Sequence, residues 1–233
     1  AIKVGSSEIG VKAAFAHTAS ENQGHSNAEY DKLFEESGVL REKTWQEFLD
    51  TSLALGNCPP LRGDNVVIIT NGGGAGLLAA DHFERLGMPL KELKDISPDL
   101  RENIRNYMPA FGSPLNPVDI SGTATSDMYG GALKTAYRDE HVDGILISVC
   151  PTAVTDVEAI TETVINIHRQ YKNLGKPFIM ECQGGNECRE AIMKLRDKGI
   201  PAYSTPEQAV NAMVALRKYS HIMNKKEKLI KNI

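Results

Sequence analysis

Cysteine is scarce in this chain of 233 residues: Cys58, Cys150, Cys182 and Cys188 are all there are, and they are scattered. No C-x-x-C pair occurs and no histidine stands at ligand spacing, which excludes a zinc ribbon or finger. Cys182 and Cys188 are close in sequence, yet the pattern is not that of a disulfide framework, so a reduced, cytoplasmic protein is expected. Long apolar runs are absent as well. None approaches the ~20 residues of a membrane span, and no signal-peptide pattern opens the chain. Basic clusters are also missing. Lys and Arg number 26 against 30 Asp and Glu, a net charge of −4, which speaks against nucleic acid as a partner. The lysines Lys225, Lys226, Lys228 and Lys231 read as a solvated helix end or a linker. The chain begins with Ala1 rather than Met, so a processed start or a piece of a longer protein is expected.

What is present is ordinary globular composition, 41% hydrophobic and 24% charged, enough for one large domain or two modest ones. From Gly63 onward, strand-like and helix-like segments alternate. Val66–Thr70 and Gly144–Val149 are apolar and rich in β-branched residues; Pro177–Met180 and the weaker Pro201–Tyr203 follow. Continuous apolar strands of this kind belong to a parallel sheet covered on both faces. Between them, Thr155-Asp-Val-Glu158 reads as a capping box, followed by apolar residues at Ile160, Val164, Ile167 and Tyr171. Ser97-Pro98 and Thr205-Pro206 each read as an N-cap before a helix-opening proline. The pattern predicts an α/β domain with a doubly wound parallel sheet over residues 63–220.

Residues 1–57 differ. They hold the end of a strand at Ile2–Val4, a polar and glycine-containing loop around His17, and two helical stretches, the second opened by the capping box Thr44-Trp-Gln-Glu47. That is too little to enclose a core alone. Residues 1–57 are therefore expected to be the C-terminal part of a second α/β domain, with residues 58–62 as a linker and 221–233 as a tail or hinge.

Three segments could carry chemistry. Thr70-Asn-Gly-Gly-Gly-Ala-Gly76 follows a strand and opens a helix. Backbone N–H groups and the helix dipole favour an anion there, and glycine admits it closely. The candidate phosphate-binding residues are Gly72, Gly73, Gly74, Ala75 and Gly76. A dinucleotide fingerprint ending at Ala79, with Asp95 as ribose acid, and a purely structural turn are the alternatives. The second segment is Ala13-Ala-Phe-Ala-His-Thr-Ala-Ser20. A neutral imidazole in a loop is a good nucleophile toward phosphorus near pH 7, though a loop histidine is more often a surface residue. His25, in the same loop, lacks the carboxylates a metal site would need, and no metal site is expected. His82, His141, His168 and His221 read as structural or surface residues. The third segment, Asn116-Pro-Val-Asp119, reads as a turn that brings Asp119 to a strand end, as a ligand contact or an Asx turn. Cys150-Pro-Thr152 and Gln183-Gly-Gly185 should line the same carboxyl edge.

Taken together, these residues resemble the acyl-CoA synthetases that form a nucleoside diphosphate, relatives of succinyl-CoA synthetase. The likeness runs through almost the whole chain, in Lys3-Val-Gly5, Ala13-Ala14, His17-Thr18, Tyr30-Asp31, Gly38-Val39, Thr70–Gly76, Asn116–Asp119, Gly184-Gly185, Gly199-Ile-Pro201 and Pro206-Glu207. The resemblance implies flavodoxin-like domains and phosphorylation of His17, with Thr18 beside the phosphate. The family's usual Ser-His-Thr-Gly is Ala16-His17-Thr18-Ala19 here. It implies that Gly72–Gly76 is a second phosphate-holding helix N-terminus, like an Asn-Gly-Ala-Gly turn in the β subunit of succinyl-CoA synthetase. It places Asn116 and Asp119 in a strand-end segment that meets substrate. It also implies ATP with Mg²⁺ and CoA as reactants, a small carboxylic acid as substrate, an oligomer, and CoA-binding and ATP-grasp domains on the same or another chain. Two rival readings are an inactive synthetase-like region of a protein acetyltransferase, against which His17 argues, and a plain nucleotide- or flavin-binding domain.

Overall fold

The computed structural model describes residues 1–16 and 27–231, except for the side chains of Phe15 and of residues 226–231. The described chain divides into two compact units, Asp50–Ser220 and a smaller one made of Ala1–Leu49 with His221–Ile233.

Five parallel strands form the larger unit: β1 (Val66–Thr70), β2 (Val118–Asp119), β3 (Gly144–Val149), β4 (Phe178–Cys182) and β5 (Ala202–Tyr203). Their order across the sheet is β2-β1-β3-β4-β5, the flavodoxin-like order. β1, β3 and β4 are buried at every position, as strands covered on both faces must be. The alternation is visible within β1. Val67 and Ile69 join the core on one face; Val66 and Ile68 join the core on the other.

The first face is covered by α5 (Leu93–Ile96), α6 (Leu100–Arg105), α7 (Ser126–Arg138), α8 (Val157–Tyr171) and α9 (Asn186–Asp197). The second is covered by α4 (Gly73–Arg85), through Ala79 and Phe83, and by the first half of α10 (Pro206–Lys231), through Ala209, Val210 and Met213. Residues 50–57 of helix α3 (Trp45–Asn57) belong to this face too. Ala54 is in its core, and the Tyr203 hydroxyl donates to the Asp50 carbonyl at 2.7 Å.

Several sequence expectations are corrected. Residues 58–62 are not a linker between units: Leu61 is fully buried in the core beside Val66, so the unit begins at Asp50. The cap of α8 is Asp156, not Thr155; its carboxylate accepts from Ala159 N at 2.8 Å. Ser97 ends α5, and Asp99 precedes α6. Cys182 and Cys188 are joined in a disulfide, against the all-reduced reading. The Gln183-Gly-Gly185 turn folds the start of α9 back onto the end of β4, bringing the two Cα atoms to 5.3 Å. Thr205 does cap α10, accepting from Gln208 N at 3.3 Å.

In the smaller unit, α1 (Glu8–Phe15) occupies positions expected to be loop, with the Ser7 hydroxyl accepting from Gly10 N at 3.1 Å. Ile2 makes a single parallel bridge to Glu42 where a strand end was expected. After α2 (Asn27–Ser37), the Thr44–Glu47 capping box at the start of α3 is formed reciprocally, at 2.9 and 3.1 Å. Arg41 ties this segment to α2 through Asp31 at 2.6 Å and the Asn27 carbonyl at 3.2 Å. Among the described residues no helix is long and apolar enough to cross a membrane.

Candidate active site at the carboxyl edge of the sheet

In this strand order the chain reverses direction across the sheet between β1 and β3, which leaves a crevice at their carboxyl ends. The turn Asn71–Gly72 stands at that point and runs directly into α4. Asn71 fixes it. Its Nδ2 donates to the Cys150 carbonyl at 2.9 Å, and its Oδ1 accepts from Cys150 N at 2.8 Å. This two-bond clamp ties the end of β1 to the residue after β3. Thr70 adds a local lock, its Oγ1 accepting from Gly72 N at 3.0 Å.

Each glycine has its own reason to be there. A Cβ on Gly72 would stand 2.4 Å from Cys150 Sγ, and one on Gly73 would stand 2.7 Å from Asp119 Oδ2. A Cβ on Gly76 would press on Thr70 Cγ2 and Pro117 Cβ, both at 3.0 Å, so this glycine allows α4 to lie close to the sheet. Gly74 is exposed and faces open space. None of the four has a positive φ, so steric room and not backbone strain selects them. The first-turn N–H groups of Gly73, Gly74 and Ala75 have no acceptor within the helix by helix geometry, and the dipole adds partial positive charge. The turn can hold an anion.

Asp119 stands beside this helix mouth at the end of β2, half-buried, its Oδ1 held by Ser121 N at 2.8 Å. It lies where the sequence placed it. A carboxylate at that spot repels a bare dianion, and so favours a phosphoryl group that brings a proton, a metal ion or an imidazole N–H with it. Asn116 has a different role from the one expected. Its Oδ1 accepts from Ile68 N at 3.1 Å, and its Nδ2 donates to the Val66 and Lys91 carbonyls at 2.8 and 2.9 Å. That amide completes the backbone pairing along β1 where β2 is too short to do so. Asp95 is exposed on α5. His17 and Thr18 lie outside the described residues.

The rest of the edge comes from segments the sequence reading only partly used. Gln183 Nε2 contacts Cys150 Sγ at 3.0 Å, and Thr155 Oγ1 accepts from Thr152 N at 3.0 Å. Burial pushes the Cys150 thiol upward, so it is protonated at neutral pH. Just below, Thr70, Ser148, Glu181 and Tyr203 form a row in register across the sheet. Glu181 is fully buried and neither carboxyl oxygen has a hydrogen-bond partner. Burial pushes it up to about 7, and the nearby Ser148 hydroxyl opposes this in part. Among the described residues no group of three His, Cys, Asp or Glu could hold a metal ion.

The model of the Ligase-CoA domain family matches residues 66–226. The α subunit of acetate–CoA ligase [ADP-forming] I from Pyrococcus furiosus is 44% identical over 225 residues, covering 94% of this chain and 46% of that protein. Acetate–CoA ligase [ADP-forming] I from Archaeoglobus fulgidus is 33% identical over 96% of this chain and 30% of its own length. Among solved structures, the dinucleotide-forming acetyl-coenzyme A synthetase 1 of Ca. Korarchaeum cryptofilum, in complex with phosphate and ADP, superposes with a TM-score of 0.89 at 34% identity. It is matched over 97% of this chain and 48% of its own. The chain belongs to the Ligase-CoA domain family of ADP-forming acyl-CoA synthetases. It spans about half the length, or less, of these relatives.

Proposed function

We propose that this chain is the phosphohistidine-carrying portion of an ADP-forming acyl-CoA synthetase, catalysing acid + ATP + CoA ⇌ acyl-CoA + ADP + phosphate. The observation that supports it most is the glycine-opened N-terminus of α4 at the β1–β3 crevice, inside the region matched by the family model. A ring nitrogen of His17 attacks the γ-phosphorus of ATP, and the bond to the ADP oxygen breaks. A carboxylate oxygen of the acid then attacks that phosphorus and His17 leaves, giving an acyl phosphate. The CoA sulfur attacks the acyl carbon, phosphate departs and the thiol proton is taken up by solvent or phosphate. Phosphoryl transfer of this kind is mainly positioning and charge stabilisation. Thr18 and the N–H groups of Gly73, Gly74 and Ala75 serve it by holding the phosphoryl oxygens, with Asp119 selecting their partner. Magnesium bound with the nucleotide neutralises charge on the phosphates.

The nucleotide and CoA are served by an ATP-grasp and a CoA-binding domain, on the same or another chain, in a cytoplasmic oligomer. Acetate is the first acid to test, because the relatives are named for it. The assay is incubation of the complete enzyme with ATP and Mg²⁺. An acid-labile, base-stable phosphoryl adduct is expected on His17, and His17→Ala should abolish both the adduct and acyl-CoA formation in a folded protein. Full synthetase activity in that variant would overturn the proposal.

A further inference from the structure

A cavity of about 400 Å³ opens at the amino ends of β4 and β5, the opposite edge of the sheet from the glycine turn. Arg169, Lys172, Lys176 and Lys198 line it, and no carboxylate does. Basic residues at this edge have an ordinary task, since α8 and α9 end here and their carbonyl ends carry roughly half a negative charge each. The cations exceed that need. Lys176 is already engaged, donating to the Ala136 and Asp139 carbonyls at the end of α7. Arg169, Lys172 and Lys198 have no ion pair among the described residues and leave an excess of about two positive charges. Glu162, which feels Arg169 and Lys198 at longer range, is itself paired with Lys194.

The cavity also has a preformed polar and aromatic wall. His168 stacks on Phe178 with ring centroids 5.5 Å apart, and its Nδ1 is bonded to the Tyr137 hydroxyl at 2.8 Å. Burial, and then Lys172, lowers its pKa to about 4, so the ring is neutral. Its Nε2 has no partner among the described residues. Ile165 and Ile200, both buried, complete the apolar side. A volume of this size is at the small end of ligand pockets.

We propose that this cavity is a second anion site, which takes a small phosphorylated molecule. Its phosphate lies among Arg169, Lys172 and Lys198, and its apolar body lies against the half-buried His168 ring, which the fully buried Phe178 backs. A monocarboxylate would leave part of the positive charge uncompensated, whereas a phosphate monoester brings close to two negative charges and three acceptor oxygens. The cavity is at the opposite edge of the sheet from the glycine turn, so occupancy there would regulate the enzyme and not take part in phosphoryl transfer at that turn.

The test is titration of the full chain with phenyl phosphate and with inorganic phosphate, following the His168 imidazole signals by NMR alongside calorimetry. Saturable binding with a shift of the His168 signals is expected, tighter for phenyl phosphate. The His168 pKa should rise in the complex. Lys172→Gln with Lys198→Gln, both at exposed positions, should weaken binding about tenfold or more and leave thermal melting unchanged. The proposal is overturned if the His168 signals do not saturate, if the double variant binds equally, or if sodium chloride at matched ionic strength reproduces the shift.

Discussion

At the scale of single residues, the glycine turn separates two roles that look alike in sequence. Gly72 is required by packing: a methyl group there overlaps Cys150 Sγ at 2.4 Å, and Cys150 cannot retreat because its backbone is clamped by Asn71. Gly72→Ala should therefore destabilise the larger unit by about 1–3 kcal/mol, as overpacking does, and this would appear in thermal or urea unfolding. Gly74 meets nothing within 4 Å, so Gly74→Val should leave the melting temperature almost unchanged. Its bulk covers the N–H groups that would face a phosphoryl group. Loss of such preorganised donors is worth on the order of 100-fold in rate. Rapid-quench measurement of phosphoryl transfer in the complete enzyme would read it, and normal kinetics would reduce the turn to a structural device.

At the scale of elements, the cap of α8 shows how local chemistry chooses between two neighbouring candidates. Thr155 and Asp156 both fit an N-cap, and the structure uses Asp156 for the helix and Thr155 for the loop at the sheet edge. Asp156→Ala should cost about 0.5–2 kcal/mol of stability. Thr155→Ala should cost the helix little and instead loosen the Thr152 loop, which hydrogen exchange would distinguish. The longer elements were legible in the sequence because their signals are local. β1 and β3 are β-branched runs, and the capping box of α3 pairs residues three apart. β2 and β5 have two residues each, too few to show a period. α1 was missed because its flanking glycines and serines outweighed the short apolar pattern. The placement of the glycine turn and of Asp119 at strand ends was legible in the sequence. The Asn71 clamp was not, since Cys150 lies 79 residues away, and neither was the backbone-bridging role of Asn116. Glu181 escaped notice for the opposite reason: a charged residue marks the end of an apolar run in sequence, yet here the strand and its burial continue through it.

At the scale of the whole molecule, that glutamate ties proton binding to global stability. Glu181 is on an interior strand, in register with Ser148 on one side and Tyr203 on the other, and has no exposed surface in the folded state. Burial is the main cause of its raised pKa, and Glu207 in the first turn of α10 adds like-charge repulsion. The folded state thus holds its proton up to about pH 7, whereas the unfolded chain releases it near the ordinary glutamate value of 4.5. Between those values the native state binds more protons than the unfolded state, so stability contributed by this group falls as pH rises. The slope is about 1.4 kcal/mol per pH unit, on the order of 3 kcal/mol across the window, and it levels off above pH 7. Glu181→Gln keeps the shape and removes the titration. Denaturant unfolding from pH 4.5 to 8 should therefore show wild-type stability falling relative to the variant, with the difference largest at the alkaline end. Parallel profiles for the two proteins would mean that water or a bound cation satisfies the carboxylate, and that it remains ionised in the fold.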